Sequence, residues 1–163
     1  MPMTSLQLAR FPHDLDAVVA IFREYVASPT VSLDYQDYEA EFAALPGKYA
    51  PPAGRLLLAR EPDAVVGCAA LRAVSGDTCE LKRVYVRPAA RGTGLGRRLV
   101  QRMILEARQA GYTRMCLDVL PEFVAAQQLY RSLGFVPAPP VSWNPVPGTQ
   151  FLGLDLATHP VGR

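Results

Sequence analysis

Histidine, cysteine and tryptophan are scarce in this chain of 163 residues, with two, three and one respectively. The three cysteines, Cys68, Cys79 and Cys116, are odd in number and lack C-x-x-C spacing. That excludes a disulfide framework and a cysteine zinc site, and predicts reduced thiols inside a core. The two histidines, His13 and His159, stand alone near the ends. No Ser-His-Asp arrangement and no metal constellation is therefore legible, and no metal is expected. No apolar run approaches the length of a membrane span, and no charged-then-apolar leader opens the chain. Net charge is only +2, too small a bias to predict a nucleic-acid or membrane partner. The arginines between 87 and 108 are spread around a helix, not gathered with exposed aromatics, which also argues against nucleic acid. The expectation left by these absences is a cytoplasmic protein.

What is present is ordinary in bulk: 50% hydrophobic and 20% charged residues, enough for one domain over 1–163 with a proper core. Residues 5–10 alternate weakly and fit a short strand. Leu15, Val18, Val19, Phe22 and Val26 recur at helical spacing after Pro12-His13-Asp14, and Pro29 stops that helix. A second helix is predicted from Tyr35 to Leu45, with Tyr38, Phe42 and Leu45 on one face and Pro46-Gly47 as its end. Apolar runs at 55–61 and 64–72, joined at Pro62-Asp63, read as a hairpin, and Ser75-Gly76-Asp77 turns the chain into a third strand, 78–86. A helix to Gln109, a strand at 114–120, a helix at 122–133 and strands opening at Phe135 and Phe151 complete the order. The proline-rich stretch 137–150 reads as an ordered excursion, and 158–163 as a frayed tail.

The chain is organised around residues 80–110. A β-like run, Glu80 to Val86, enters the turn Arg87-Pro88-Ala89-Ala90; Arg91-Gly92-Thr93-Gly94-Leu95-Gly96 follows, and then the helical run from Arg97. Strand, glycine loop, helix is a phosphate-cradling order: glycines admit a ligand close to the backbone, and a helix start adds unsatisfied amides and positive potential. It is not a Walker A loop, because no Lys-Ser/Thr pair follows Gly96. Nor is it a dinucleotide fingerprint, because the spacing is G-x-G-x-G with Arg97 next.

Arg91-x-x-Gly94-x-Gly96 resembles the acetyl-CoA loop of the GNAT superfamily of N-acetyltransferases. The run Ala125 to Phe135, with Leu129-Tyr130-x-x-Leu133-Gly134-Phe135, is similar to that family's later motif, and the order of elements extends the resemblance over nearly the whole chain. It implies an α/β (α+β) fold. Its mixed, mostly antiparallel central sheet has about six or seven strands and about four flanking helices, and splays open between its fourth and fifth strands. It also implies acetyl-CoA as co-substrate. Backbone groups of Val84, Tyr85 and Val86 would then meet pantetheine as an added strand does. The pyrophosphate cradle would be Arg91, Gly92, Thr93, Gly94, Leu95, Gly96 and Arg97. Position 123, where many relatives carry an asparagine that contacts CoA, is Phe123 here.

Acetyl transfer to an amine needs three things: removal of a proton from an ammonium of pKa about 10.4, donors for the oxyanion, and a proton for the leaving thiolate. In the family a tyrosine at the position of Tyr130 serves as general acid. Glu80, eleven residues before Arg91, matches the spacing of the base glutamate in several members; ordered water is the alternative. The strand period puts Glu80, Lys82, Val84 and Val86 on one face. Cys116 has no histidine near it in sequence, so a covalent route is set aside and direct transfer expected. The resemblance places the acceptor site between 28–54 and 137–150, both rich in aromatics and prolines, where rings could wall off a small amine or pack on a second subunit, as in a homodimer. Arg83 is either an anchor for an acceptor carboxylate or an ion-pair partner. The acceptor is read as a primary amine of a small molecule such as an amino acid, polyamine or antibiotic-like amine. The alternatives are a protein amine (N-terminal or lysine) and a non-catalytic acyl-CoA sensor.

Overall fold

The computed structural model describes residues 4–157; the expected tail at 158–163, with His159, lies outside them. The elements are β1 (Ser5–Leu8), α1 (Leu15–Ala27), α2 (Tyr38–Ala43), β2 (Arg55–Glu61), β3 (Ala64–Ser75), β4 (Thr78–Val86), α3 (Leu95–Gln109), β5 (Arg114–Val119), α4 (Val124–Ser132), β6 (Val136–Pro137) and β7 (Gln150–Asp155). Seven strands form one mixed sheet in the order β1-β2-β3-β4-β5-β7-β6. Every neighbouring pair is antiparallel except β4 with β5. The expected order, sheet and four helices are all present.

β2 and β3 read as near-continuous apolar runs because both of their faces are covered. Leu57, Ala59, Ala69 and Leu71 pack with Leu99, Val100 and Met103 of α3. Leu56, Leu58, Cys68 and Ala70 pack with Val18, Ile21 and Phe22 of α1 and Phe42 of α2. The α3 stripe holds because its apolar residues recur every three or four positions; Gly111, at φ 96, ends it in a conformation that favours glycine.

The second helix departs from expectation. Asp37 adopts a left-handed conformation, φ 52 and ψ 46, and separates a short 3-10 turn, Asp34–Gln36, from α2. Aspartate is among the few non-glycine residues that visit this region readily. The predicted face survives the break: Phe42 is buried, and Tyr38 and Leu45 pack beside it.

β4 and β5 pair only at Thr78↔Arg114, Cys79↔Met115 and Glu80↔Cys116. Beyond Glu80 the two strands part, which opens the gap that the family resemblance implies. A β-bulge in β4 lies just past the point of parting. Between the pairs Lys82↔Ala70 and Tyr85↔Cys68, Arg83 and Val84 together oppose Ala69 alone, and Arg83 sits at φ 59. A bulge bends its strand and shifts the alternation beyond it by one residue. The expectation that Glu80, Lys82, Val84 and Val86 share a face is therefore corrected. Val84 and Val86 join Cys79 and Leu81 in the α3-side cluster, and Tyr85 turns to the α1 side.

The bulge is pinned by its own side chain. Arg83 is 2% exposed. Its Nε and Nη2 donate to the Glu41 carboxylate at 3.0 and 3.1 Å, and its Nη1 to Gln36 Oε1 at 2.6 Å. Burial alone would push the Glu41 carboxyl up, but Arg83 and Lys48 outweigh it and hold the group below its usual range. Arg83→Met strands that carboxylate with only the half-exposed Lys48 at 3.1 Å. Loss of one partner from a buried pair is expected to cost about 3–5 kcal/mol, read as a lower urea midpoint; an unchanged midpoint would show that the bulge needs no such pin.

Candidate active site

A groove of about 470 Å³ runs between the β4 edge, the glycine loop and α4. Its walls include Val84, Tyr85, Val86, Arg91, Gly92, Gly94, Leu95 and Gly96 on one side and Phe123, Ala126, Leu129 and Tyr130 on the other. Nine of the cofactor and catalytic residues expected from sequence thus meet there. Thr93 and Arg97 turn elsewhere: Thr93 Oγ1 donates to the Ala90 carbonyl at 2.7 Å, and Arg97 donates to Ser132 Oγ at 2.7 Å.

The groove suits an extended acyl-CoA on three counts. Past Glu80 the β4 edge has no strand partner toward β5, so its amides and carbonyls are open to a pantetheine arm. The first turn of α3 has no side-chain cap, because its N-cap is Gly94, at φ 82; the amides of Leu95, Gly96 and Arg97 lie in that turn, where helical acceptors are missing. A Cβ on Gly96 would sit 3.5 Å from Leu129 Cδ2 and 4.0 Å from Val86 Cγ2, two residues that line the groove. Glycine there keeps the floor clear. Arg91 stays beside the opening, its Nε on the Val86 carbonyl at 2.9 Å and its guanidinium over the Tyr85 ring.

A second, smaller recess of about 50 Å³ adjoins the groove. Lys82, Arg83, Tyr35, Gln36, Asp118 and Asn144 line it. Tyr25, Val84, Phe123, Ala126 and Tyr130 belong to both spaces, so the two meet at the mouth of the β4–β5 gap. The connection from β6 to β7 closes over this recess. Asn144 Nδ2 donates to Asp118 Oδ2 at 3.0 Å, Ser142 Oγ to Glu80 Oε2 at 2.9 Å, and Trp143 meets Tyr35 edge-on with ring centres 5.9 Å apart.

Tyr130 is 6% exposed and its ring packs on Phe135 at 5.6 Å. Burial, with Tyr25 and Asp118 nearby, pushes its hydroxyl well above the ordinary phenol range, so it holds its proton at any physiological pH. Glu80 is 1% exposed and lines neither space. Its Oε1 accepts from Arg72 Nε at 2.8 Å with Lys82 Nζ 4.0 Å away, and its Oε2 is taken by Ser142. Sequence reasoning missed Tyr25, Asp118 and Asn144. No local motif marks them; α1, the end of β5 and the long connection bring them together only in the fold.

Cys68, Cys79 and Cys116 are free and buried. Burial raises all three thiols, Cys79 to about 12. The native protein is therefore expected to leave a thiol-specific reagent unreacted at about pH 8, with three thiols per chain titrating once it is denatured. Rapid reaction of any thiol in the native state would contradict this burial.

A family model described as the Acetyltransferase (GNAT) family matches residues 18–135. An uncharacterized N-acetyltransferase of Schizosaccharomyces pombe is 36% identical over 155 residues, 94% of this chain and 95% of that one. An L-amino acid N-acyltransferase of Escherichia coli is 38% identical over 87 residues, 47% of this chain and 49% of that one. An acetyltransferase of the GNAT family from Staphylococcus aureus shares the fold with a TM-score of 0.77 at 17% identity, over 94% of this chain and 99% of that one. An acetyltransferase from Salmonella typhimurium, solved with its cofactor acetyl-CoA, aligns at a TM-score of 0.67 and 28% identity over 96% and 95% of the two chains.

Proposed function

Because the chain belongs to the GNAT family of N-acetyltransferases, we propose that it moves an acetyl group from acetyl-CoA directly to a primary amine of a small molecule. The observation that carries this reading is the junction of groove and recess at Val84 and Tyr130. An acyl group lying along β4 and an amine in the recess would meet there, with Tyr130 between them.

Acetyl-CoA supplies the activated acyl group; the rest belongs to this chain. The β4 edge and glycine loop hold the donor extended. The Val84 amide, at the bulge, serves as donor to the developing oxyanion. Tyr130 gives its proton to the departing thiolate, whose conjugate thiol has a pKa near ~8.5, and recovers one from the nitrogen as the tetrahedral intermediate collapses to the amide. Glu80, shared among Arg72, Lys82 and Ser142, acts as a positioning residue for the recess wall, and the ammonium proton leaves to water in the recess. Buried, protonated Cys116 supports transfer without an acyl-enzyme.

The small recess and the connection closed over it support a small acceptor against a protein one, which needs an open groove. The relative named as an L-amino acid N-acyltransferase supports the same class. Thiol release from acetyl-CoA decides between them, with pooled small primary amines in one arm and peptides bearing free N-termini and lysines in the other. Faster release with the small amines supports the reading; faster release with peptides replaces it by protein acetylation.

A further inference from the structure

Two opposite charges line the recess without neutralising each other. Among the described residues the Asp118 carboxylate has one side-chain partner, the neutral Asn144 amide at 3.0 Å. Lys82 has Glu80 at 4.0 Å, the outer limit of an ion pair, and that carboxylate already belongs to Arg72 and Ser142. Among the described residues no ion pair joins Lys82 to Asp118. The third charge on the wall, Arg83, is spent on Glu41 and Gln36, so it is not the anchor for an acceptor carboxylate.

Charges removed from water are costly unless a partner compensates them. The Lys82 side chain is only 14% exposed. Burial lowers its pKa, opposed by Glu80 and Asp118, with the cations Arg83 and Lys48 adding to the fall. A ligand carrying an ammonium and a carboxylate close together would answer both groups at once. A polyamine would answer Asp118 alone and bring further positive charge beside Lys82.

We propose that the recess is a zwitterion site, in which Asp118 receives the acceptor's ammonium and Lys82 its α-carboxylate, so that the acceptor class is the α-amino acid. This rests on the small-amine reading above and narrows it. The amine then sits on the Asp118 side, where β5 faces Val84 and Tyr130 across the gap, and the carboxylate is held back against β4. Asp118 releases the amine as it loses its proton to water, since a neutral amine no longer gains from the carboxylate.

Three matched pools test the assignment: the protein α-amino acids, their α-carboxamides, and the corresponding decarboxylated amines, each assayed by thiol release from acetyl-CoA. The wild type is expected to prefer the amino acids over the carboxamides by about tenfold to a hundredfold in kcat/KM, the range for a hydrogen bond to a charged group. Lys82→Met should collapse that preference to about one, and Lys82→Arg should restore part of it, with acetyl-CoA titration showing that both variants remain folded. Equal wild-type rates on the three pools, or an unchanged preference in Lys82→Met, would overturn the zwitterion site while leaving the small-amine reading in place. Release with none of the pools would overturn both.

Discussion

Gly96→Glu is expected to abolish measurable acetyl-CoA binding in a protein that remains folded. The added Cβ meets Leu129 and Val86 at 3.5 and 4.0 Å, ordinary contact distances, so the first turn of α3 accepts it. The rest of the side chain has only the groove to enter, and it carries a negative charge to the place where the diphosphate's charge belongs. Two like charges about 4 Å apart at an effective dielectric near 20 repel by about 4 kcal/mol, roughly a thousandfold in Kd. Gly94 is a poorer test, since its φ of 82 strains any side chain before the ligand is considered. Calorimetry with acetyl-CoA reads the loss, and a thermal melt reads the fold. Affinity within about threefold of the wild type, well under the tenfold that 1.4 kcal/mol represents, would move the phosphate site elsewhere.

Tyr130→Phe is expected to cut kcat by about a hundredfold to ten-thousandfold, the usual contribution of a placed general acid. Acetyl-CoA affinity should change little, because phenylalanine keeps the ring that packs on Phe135. The direction of the hydroxyl's pKa bears on its protonation state, not on its strength as an acid. Burial raises it, so the acid form persists above the ordinary phenol value of about 10, and no loss of the donor is expected on the alkaline side of neutrality. An equal fall on acetyl-CoA binding and turnover would make Tyr130 a wall of the groove and nothing more. Unchanged kcat across pH would hand the thiolate's proton to water.

Much of this was legible in the residues because it is local. The glycine spacing at 92–96, the helical stripe from Leu95 to Ala107 and the apolar runs of β2 and β3 each report their own backbone. The groove residues of β4 follow from their place just before that loop. What escaped the sequence depends on contacts far apart in the chain. The bulge at Arg83 is held by Glu41 and Gln36 from the segment around α2, and it reverses the faces that simple alternation assigns to Val84 and Val86. Glu80 looks like a strand carboxylate near a loop. Only Arg72 on β3 and Ser142 on the late connection show that its oxygens are taken. Asp118 carries no motif, and gains meaning only when Asn144 and Lys82 face the same recess. The break at Asp37 turns on one residue's left-handed backbone, which helical periodicity does not register.

The most direct test of the account is amide hydrogen exchange of the wild-type protein with and without acetyl-CoA. The account predicts protection gathered on the amides of Val84 to Val86, on Gly92 to Arg97 and on the start of α4, with β1 and the distal half of α3 unchanged. Protection centred elsewhere, or none at saturating acetyl-CoA, would contradict the claim that the gap between β4 and β5 is where this chain holds its acyl donor.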